Sequence, residues 1–70
     1  HDPEAVLDAA ESLAVAAGPA AVTIRAISSA VVVSNGALYH TFGSRAALLA
    51  RTWVRAGRRF LLAQNALVDA

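Results

Sequence analysis

Apolar residues recur along most of the chain at three- and four-residue spacing, which is the period of an amphipathic helix. Near the start they form one face, made of Val6, Leu7, Ala10, Leu13, Ala14 and Ala17. Asp2 followed by Pro3 is a helix-start signal, because aspartate caps free N–H groups and proline fits the first helical position. Gly18-Pro19 then stops the pattern. We therefore predict a first helix between Pro3 and Gly18.

A second, short helix is predicted after Thr23, whose hydroxyl can cap it. Val22 precedes that cap, and its spacing from Ile27 is that of a hydrophobic staple. The helix is expected to end near Ala30 or Val31. The valine run 31–33 favours extended backbone, but three residues between two capped helices form a turn rather than a strand.

A third helix start follows at Ser34, with Val33 and Leu38 as its staple pair. This helix can extend only to about Phe42, because Gly43 is a natural left-handed terminator. At about 100° per residue, Leu38 and Phe42 share one face, which must point to the core. The other flanks then carry Gly36, Ala37, Tyr39 and His40, with Asn35 on the first turn.

Ser44 is positioned to cap a fourth and longer helix. Its apolar positions are Leu48, Leu49, Trp53, Phe60 and Leu67. Gly57 lies inside this pattern and leaves open whether the helix is unbroken. No strand alternation or internal repeat is present. The predicted fold class is therefore all-α, a small helical bundle in which the second and third helices form a helix-turn-helix unit.

Composition and charge narrow the function. The chain has no cysteine, which excludes disulfides and thiolate chemistry. No nucleophile lies beside a base and no paired carboxylates stand in the basic half, so an enzyme is not expected and no metal or organic cofactor is implied. The longest apolar run is too short to cross a bilayer and nothing in these residues resembles a signal peptide, so a cytoplasmic protein is expected.

The net charge of +1 conceals an asymmetric distribution. The acidic residues of the first third are Asp2, Glu4, Asp8 and Glu11, and the basic residues that follow are Arg25, Arg45, Arg51, Arg55, Arg58 and Arg59. A polyanion would be repelled by one end and attracted by the other. An exclusively arginine set suits bidentate contacts to phosphate or guanine. The alternative is that these arginines are solvated. We expect the last four to be solvated or to lie near a part of the protein outside this chain.

The polar residues of the third helix suit a DNA surface. Asn35 can pair with adenine, Ala37 can touch a thymine methyl group, and Gly36 permits close backbone approach. Tyr39 and His40 can donate hydrogen bonds to phosphates. The alternatives remain open that Tyr39 is a half-buried ring, that His40 is an ordinary surface histidine, and that Asn35 is merely tolerated at a helix start.

Two arginines flank this helix in the predicted unit. Arg25, in the first turn of the second helix, is positioned for a phosphate or a guanine, and Arg45 at the start of the fourth helix for a phosphate. Trp53 is expected to belong to the core or to an interface rather than to stack on bases.

The segments "VLDAAESL", "VTIRAIS" and above all "VSNGALYHTFGSRAALL" resemble the N-terminal DNA-binding domain of the TetR family of bacterial transcriptional repressors. The resemblance covers roughly Pro3 to Trp53. It implies that Thr23 and Arg25 contact DNA from the second helix and that Tyr39, His40 and Arg45 hold phosphates. It also implies that the bases are faced by Ser34, Asn35, Gly36 and Ala37.

The turn departs from this family, which usually has Ala-Gly-Val where this chain has Val31-Val32-Val33. The middle position normally takes a left-handed conformation that strains a β-branched residue. We therefore expect either a strained turn or a rearranged one. In both cases the two staples should keep the third helix in place.

The resemblance further implies a homodimer and a larger C-terminal helical domain that binds a small-molecule effector. On that basis residues 1–50 are expected to be the helix-turn-helix domain, and residues 51–70 a connecting helix toward a ligand-binding and dimerisation domain absent from this chain. Trp53, Phe60, Leu61 and Leu62 would then face a partner. The expected function is a repressor that binds double-stranded operator DNA and is released by its effector. The alternative is a helical protein-interaction module that docks through its Leu- and Trp-bearing last helix.

Overall fold

The computed structural model describes residues 2–69, which contain four α-helices, one short 3₁₀ helix and no strand. The α-helices are α1 (Pro3–Ala17), α2 (Ile24–Val31), α3 (Asn35–Phe42) and α4 (Arg45–Asp69). A 3₁₀ helix at Pro19–Ala21, which was not predicted, connects α1 to α2. None of the helices in this described range is long and apolar enough to span a membrane. The all-α fold class is confirmed.

Each predicted helix start is made by the predicted cap. The Asp2 carboxylate accepts a hydrogen bond from the Glu4 N–H at 3.0 Å. The hydroxyl oxygens of the other three caps accept from the N–H three residues ahead at 3.0–3.1 Å, these caps being Thr23, Ser34 and Ser44. Because side-chain oxygens satisfy the free N–H groups at each start, the local sequence alone fixes where the helices begin.

The core lies where α1, α2, α3 and the first half of α4 meet. Its buried side chains are Val6, Leu7, Ala10, Val22, Ile24, Ile27, Leu38, Phe42 and Leu48. Both members of the first predicted staple are among them, and Val33 of the second packs half-buried against the same cluster as Leu38. At the end of α1, Ala17 is exposed, so its prediction as part of the apolar face is wrong. The helix ends there, beyond the reach of the core.

Val32 adopts the left-handed conformation, with φ 54° and ψ 48°. It is the one residue other than glycine with positive φ in the described range. The left-handed region costs an L-residue roughly 1–2 kcal/mol. The turn is therefore strained rather than rearranged, and α3 keeps its place after it.

The fourth helix continues through Gly57 without a break, as far as Asp69. Leu48 and Thr52 are fully buried, and the Thr52 hydroxyl donates to the Leu48 carbonyl at 2.9 Å. Beyond them the apolar side chains are exposed: Trp53 by 41%, Phe60 by 62%, Leu61 by 63% and Leu62 by 64%. The prediction that these residues extend past the core is confirmed. Leu67, expected at an apolar position, is also exposed.

An ion-pair cluster, made of Arg55, Arg59, Glu4, Asp8 and Glu11, joins α1 to α4. Arg55 donates to Glu4 Oε2 at 3.0 Å, to Glu11 Oε2 at 2.8 Å and to Asp8. Its side chain is only 14% exposed. The expectation that Arg55 is solvated is therefore wrong, because the acidic face of α1 packs against it. Arg59 joins the ion pairs, but its side chain stays 60% exposed.

Candidate nucleic-acid interface

The first turns of α3 present polar side chains to solvent while the opposite face anchors the helix. Leu38 is fully buried and Phe42 is 7% exposed, as the helical spacing predicted. On the outer side Asn35, Gly36 and His40 are exposed, and Tyr39 is 49% exposed. That value is compatible both with a phosphate contact and with a partly packed ring. Asn35, Gly36, Tyr39 and His40 are therefore accessible to a ligand, and their contact with DNA stays a prediction.

Ala37 is the exception on this face, because it is half-buried. Its N–H group is bound by the Ser34 hydroxyl at 3.1 Å. A contact between its methyl group and a thymine therefore requires a closer approach of the helix than a contact from Asn35.

Thr23 and Ser34 have structural roles that the family resemblance did not require. Each accepts a backbone hydrogen bond through its hydroxyl oxygen, from Ala26 and Ala37 respectively. Because a hydroxyl is both donor and acceptor, its hydrogen remains able to donate to a phosphate. Both residues are exposed, so capping and DNA contact are compatible at these two positions.

Arg25 and Arg45 are both exposed, at the starts of α2 and α4. The Arg45 Nε group donates to the Val22 carbonyl at 3.0 Å. This contact ties the start of α4 to the segment just before α2, and it restricts where the guanidinium can point. Such a preordered cation loses less side-chain entropy when it binds an anion.

The ion pairs change the charge that the molecule presents. Two of the six arginines are neutralised by α1, while in residues 2–69 no ion pair involves Arg25, Arg45, Arg51 or Arg58. Arg51 lies over the Phe42 ring, with its guanidinium carbon 4.7 Å from the ring centroid. Positive charge without an acidic partner therefore stands at the starts of α2 and α4 and along the middle of α4.

Sequence reasoning missed the ion-pair cluster although its signal was present. Glu4, Asp8 and Glu11 are spaced by four and three residues, which puts them on one face of α1, and Arg55 and Arg59 share a face of α4. What the sequence did not specify is that these two faces meet.

A shallow groove of about 330 Å³ lies beside this cluster, between α1 and α4. Its apolar lining comes from Leu7, Ala50 and Val54, and its charged lining from Glu4, Arg51, Arg55 and Arg58. Within the described residues no group of three or more histidine, aspartate and glutamate side chains is placed to hold a metal ion.

A comparison with protein-family models matches residues 6–52 to the family described as bacterial regulatory proteins, tetR family. Comparisons with curated proteins and with solved structures returned no match. The matched residues run from α1 into α4 and include the whole of α2, the strained turn and α3. With its helix-turn-helix geometry and the match over most of its length, the chain belongs to the TetR family of DNA-binding transcriptional regulators.

Proposed function

We propose that this chain is the operator-binding part of a transcriptional repressor, with α3 as the helix that reads the DNA. The observation that carries the proposal is the two-sided character of α3. Leu38 and Phe42 fix it to the core, while Asn35, Gly36 and His40 are exposed at its leading end and outer flank. In helix-turn-helix proteins the N-terminal residues of this second helix contact base edges in the major groove.

The proposed roles follow from the chemistry of each exposed group. Asn35 pairs with adenine, Gly36 lets the backbone approach the bases closely, and Ala37 touches a thymine methyl group. Ser34 also faces the bases. Phosphate contacts are made by Thr23, Arg25, Tyr39, His40 and Arg45. Arg25 is the one of these that also has the reach and geometry for a guanine.

We further assign residues 1–50 to DNA binding and residues 51–70 to the connection with a ligand-binding and dimerisation domain. The exposed Trp53, Phe60, Leu61 and Leu62 support this assignment, because large apolar side chains left uncovered along a helix favour a protein partner. Family members are commonly dimers, so two recognition helices would read a two-fold operator. We further propose that a small-molecule effector releases the protein from its operator, and that the protein is cytoplasmic.

A salt titration of DNA binding tests the central step. A fluorescent duplex, selected by the chain from a random library, is followed by anisotropy between about 50 and 300 mM salt. Phosphate-dominated binding weakens steeply with salt, because counterions are released, and its slope scales with the number of phosphates contacted. We expect Arg25→Gln to reduce that slope by about 1. Arg58→Gln, in the middle of α4 and beyond the residues assigned to DNA binding, should leave it unchanged.

The second candidate is a helical protein-interaction module, favoured by the exposed apolar side chains of α4 and the neighbouring groove. Apolar docking responds little to salt, whereas DNA binding responds strongly. A chain that selects no duplex from the library, while Phe60→Asp changes its association with other proteins, would favour the interaction module over the DNA reader.

A further inference from the structure

Ser28 binds the turn between α2 and α3 through both its backbone and its side chain. The Ser28 carbonyl accepts a hydrogen bond from the Val32 N–H, and also from the Val33 N–H at 3.2 Å. In addition, the Ser28 hydroxyl donates to the Val33 carbonyl oxygen. A single half-buried serine therefore binds the turn at three points, two through its backbone and one through its side chain.

The backbone bonds are those that any residue at position 28 could make at a helix end. The hydroxyl bond is different, because it requires serine or a similar side chain. It acts on the carbonyl of Val33, the residue directly before the Ser34 cap of α3. The orientation of that peptide group sets the direction in which the chain enters α3.

This turn needs a constraint because Val32 does not favour its own conformation. A β-branched residue with φ 54° is strained. The Val32 side chain is 91% exposed and so gains little packing in return. The hydroxyl bond opposes relaxation of this turn toward other backbone angles, which would change the direction in which the chain enters α3 while Leu38 and Phe42 keep the helix in the core.

From these contacts we infer that Ser28 is a positioning residue for DNA recognition. Its hydroxyl fixes the Val33 carbonyl, holds the strained turn at Val32, and thereby sets the orientation of α3 without contacting DNA. This inference rests on the proposed function insofar as α3 reads the DNA. Its structural part, the dependence of the α3 orientation on Ser28, stands apart from DNA binding.

A double-mutant cycle tests the inference, with the full chain carrying Ser28→Ala, Val32→Gly, both substitutions or neither. Glycine adopts the left-handed conformation without strain, so the turn should need the hydroxyl less once position 32 is glycine. Residual dipolar couplings of the α3 amides, measured against those of α1, report the helix orientation. Anisotropy with the library-selected duplex and with a scrambled duplex reports the specificity ratio.

We expect Ser28→Ala alone to reorient α3 and to lower the ratio of selected to scrambled affinity about tenfold. When Val32→Gly is also present, the same substitution should change that ratio less than twofold. Ser29→Ala is the matched control, because Ser29 is the adjacent serine of α2, is exposed, and makes no side-chain hydrogen bond within residues 2–69. It should alter neither the couplings nor the ratio.

Two results would overturn the inference. One is an equal effect of Ser28→Ala with and without Val32→Gly, and the other is a lower Tm with unchanged couplings and specificity, which marks a merely stabilising contact. A failure of the proposed function looks different. There the unsubstituted chain selects no duplex, yet the dipolar couplings still report whether Ser28 and Val32 are coupled.

Discussion

At the scale of single residues, the most informative position is Val32, whose backbone takes a conformation that its β-branched side chain disfavours. Val32 takes a conformation suited to glycine, and its side chain is almost fully exposed. Neighbouring residues enforce this conformation: Ser28 through its hydrogen bonds and Ser34 by capping the next helix. A residue that is locally unfavourable persists when its surroundings determine the backbone more strongly than it does.

Val32→Gly should therefore stabilise the chain. Relief of the left-handed strain contributes about 1–2 kcal/mol, and the added freedom of glycine in the unfolded chain removes about 0.5–1 kcal/mol. The net gain of about 0.5–1 kcal/mol corresponds to a Tm increase of roughly 2–8 °C in a domain of this size. Thermal denaturation followed by circular dichroism measures it.

Val15→Gly is the matched control for this substitution. Val15 is also exposed, at 88%, but lies within α1 with ordinary helical backbone. Glycine there should lower the Tm slightly, because it has the poorer helix propensity. A lower or unchanged Tm for Val32→Gly would contradict the idea of strain.

Base reading is also a property of single residues. Asn35→Ala should weaken binding by about 1–3 kcal/mol at one operator position and relax the preference there. Arg45→Ala should weaken all duplexes about equally, as expected for a phosphate contact. Competition binding with duplexes substituted at each position distinguishes the two patterns. An unchanged base preference in Asn35→Ala would remove Asn35 from the reading set.

At the scale of elements, α1 and α4 are joined by packing and by charge. Leu7 and Leu48 are buried in the shared core, while Arg55 binds three carboxylates and the Glu4 carbonyl at the edge. The cluster is not fully satisfied, since Glu11 Oε1 and Arg55 Nε are buried without a hydrogen-bond partner in the described range. Its main effect is therefore to orient α1 on α4, and its loss would leave carboxylates uncompensated.

Arg55→Ala should destabilise the chain by about 1–3 kcal/mol, because a partly buried Glu11 carboxylate loses its main partner. We expect the urea midpoint of this variant to be lower than that of the unsubstituted chain at neutral pH. Arg58→Ala is the control on the same helix, since Arg58 is exposed and has no ion pair within residues 2–69. Equal midpoints for the two variants would show that the cluster contributes nothing to stability.

At the scale of the whole molecule, the ion-pair cluster neutralises most of the acidic charge that the sequence places in its first third. Most of the acidic charge on α1 is consumed by Arg55 and Arg59, so it does not oppose a polyanion at the other end. Arg25 and Arg45 remain at the proposed DNA surface. A chain with a net charge of only +1 can thus present a basic face where it is needed.

The same cluster makes stability depend on pH. The hydrogen bond from Arg55 lowers the pKa of Asp8 below its ordinary value of 3.8, an effect that outweighs the opposing effect of burial. Because the folded-state pKa is depressed, the stabilisation by Asp8 is fully present above about pH 5 and is lost as the pH falls below about 4. The pKa of Arg55 is raised above its ordinary value, first by its hydrogen bond to Glu11 and then by Asp8. Burial acts against this and lowers the pKa of Arg55, but by less.

We expect the difference in urea midpoint between the unsubstituted chain and Asp8→Asn to be constant from pH 7 to about 5. The difference should then shrink as the pH is lowered toward 3, since protonated aspartate and asparagine are alike in charge. Parallel unfolding curves at each pH give this difference directly. A gap that stays constant down to pH 3 would exclude the ion pairs of Asp8 as its source.

Local signals in the sequence were enough to predict where the four α-helices begin and which side of α3 faces the core. Caps at Asp2, Thr23, Ser34 and Ser44 lie within three residues of the N–H groups they bind, and the periodicity of Leu38 and Phe42 fixes the inner face of α3. The same local signals predicted the exposed set on α3, including Asn35 and His40. The DNA roles of these residues remain predictions.

Contacts between residues far apart in the chain depend on how the helices pack and could not be predicted from local patterns. Arg55 meets Glu4, Asp8 and Glu11 only because α4 packs along α1, and no local pattern states which two faces meet. The path through Val32 was likewise open in the sequence, since a β-branched residue disfavours the left-handed region. It was settled by the requirement that α2 and α3 both bury their apolar sides in one core. The strain at Val32 costs less free energy than leaving one of these apolar sides exposed would.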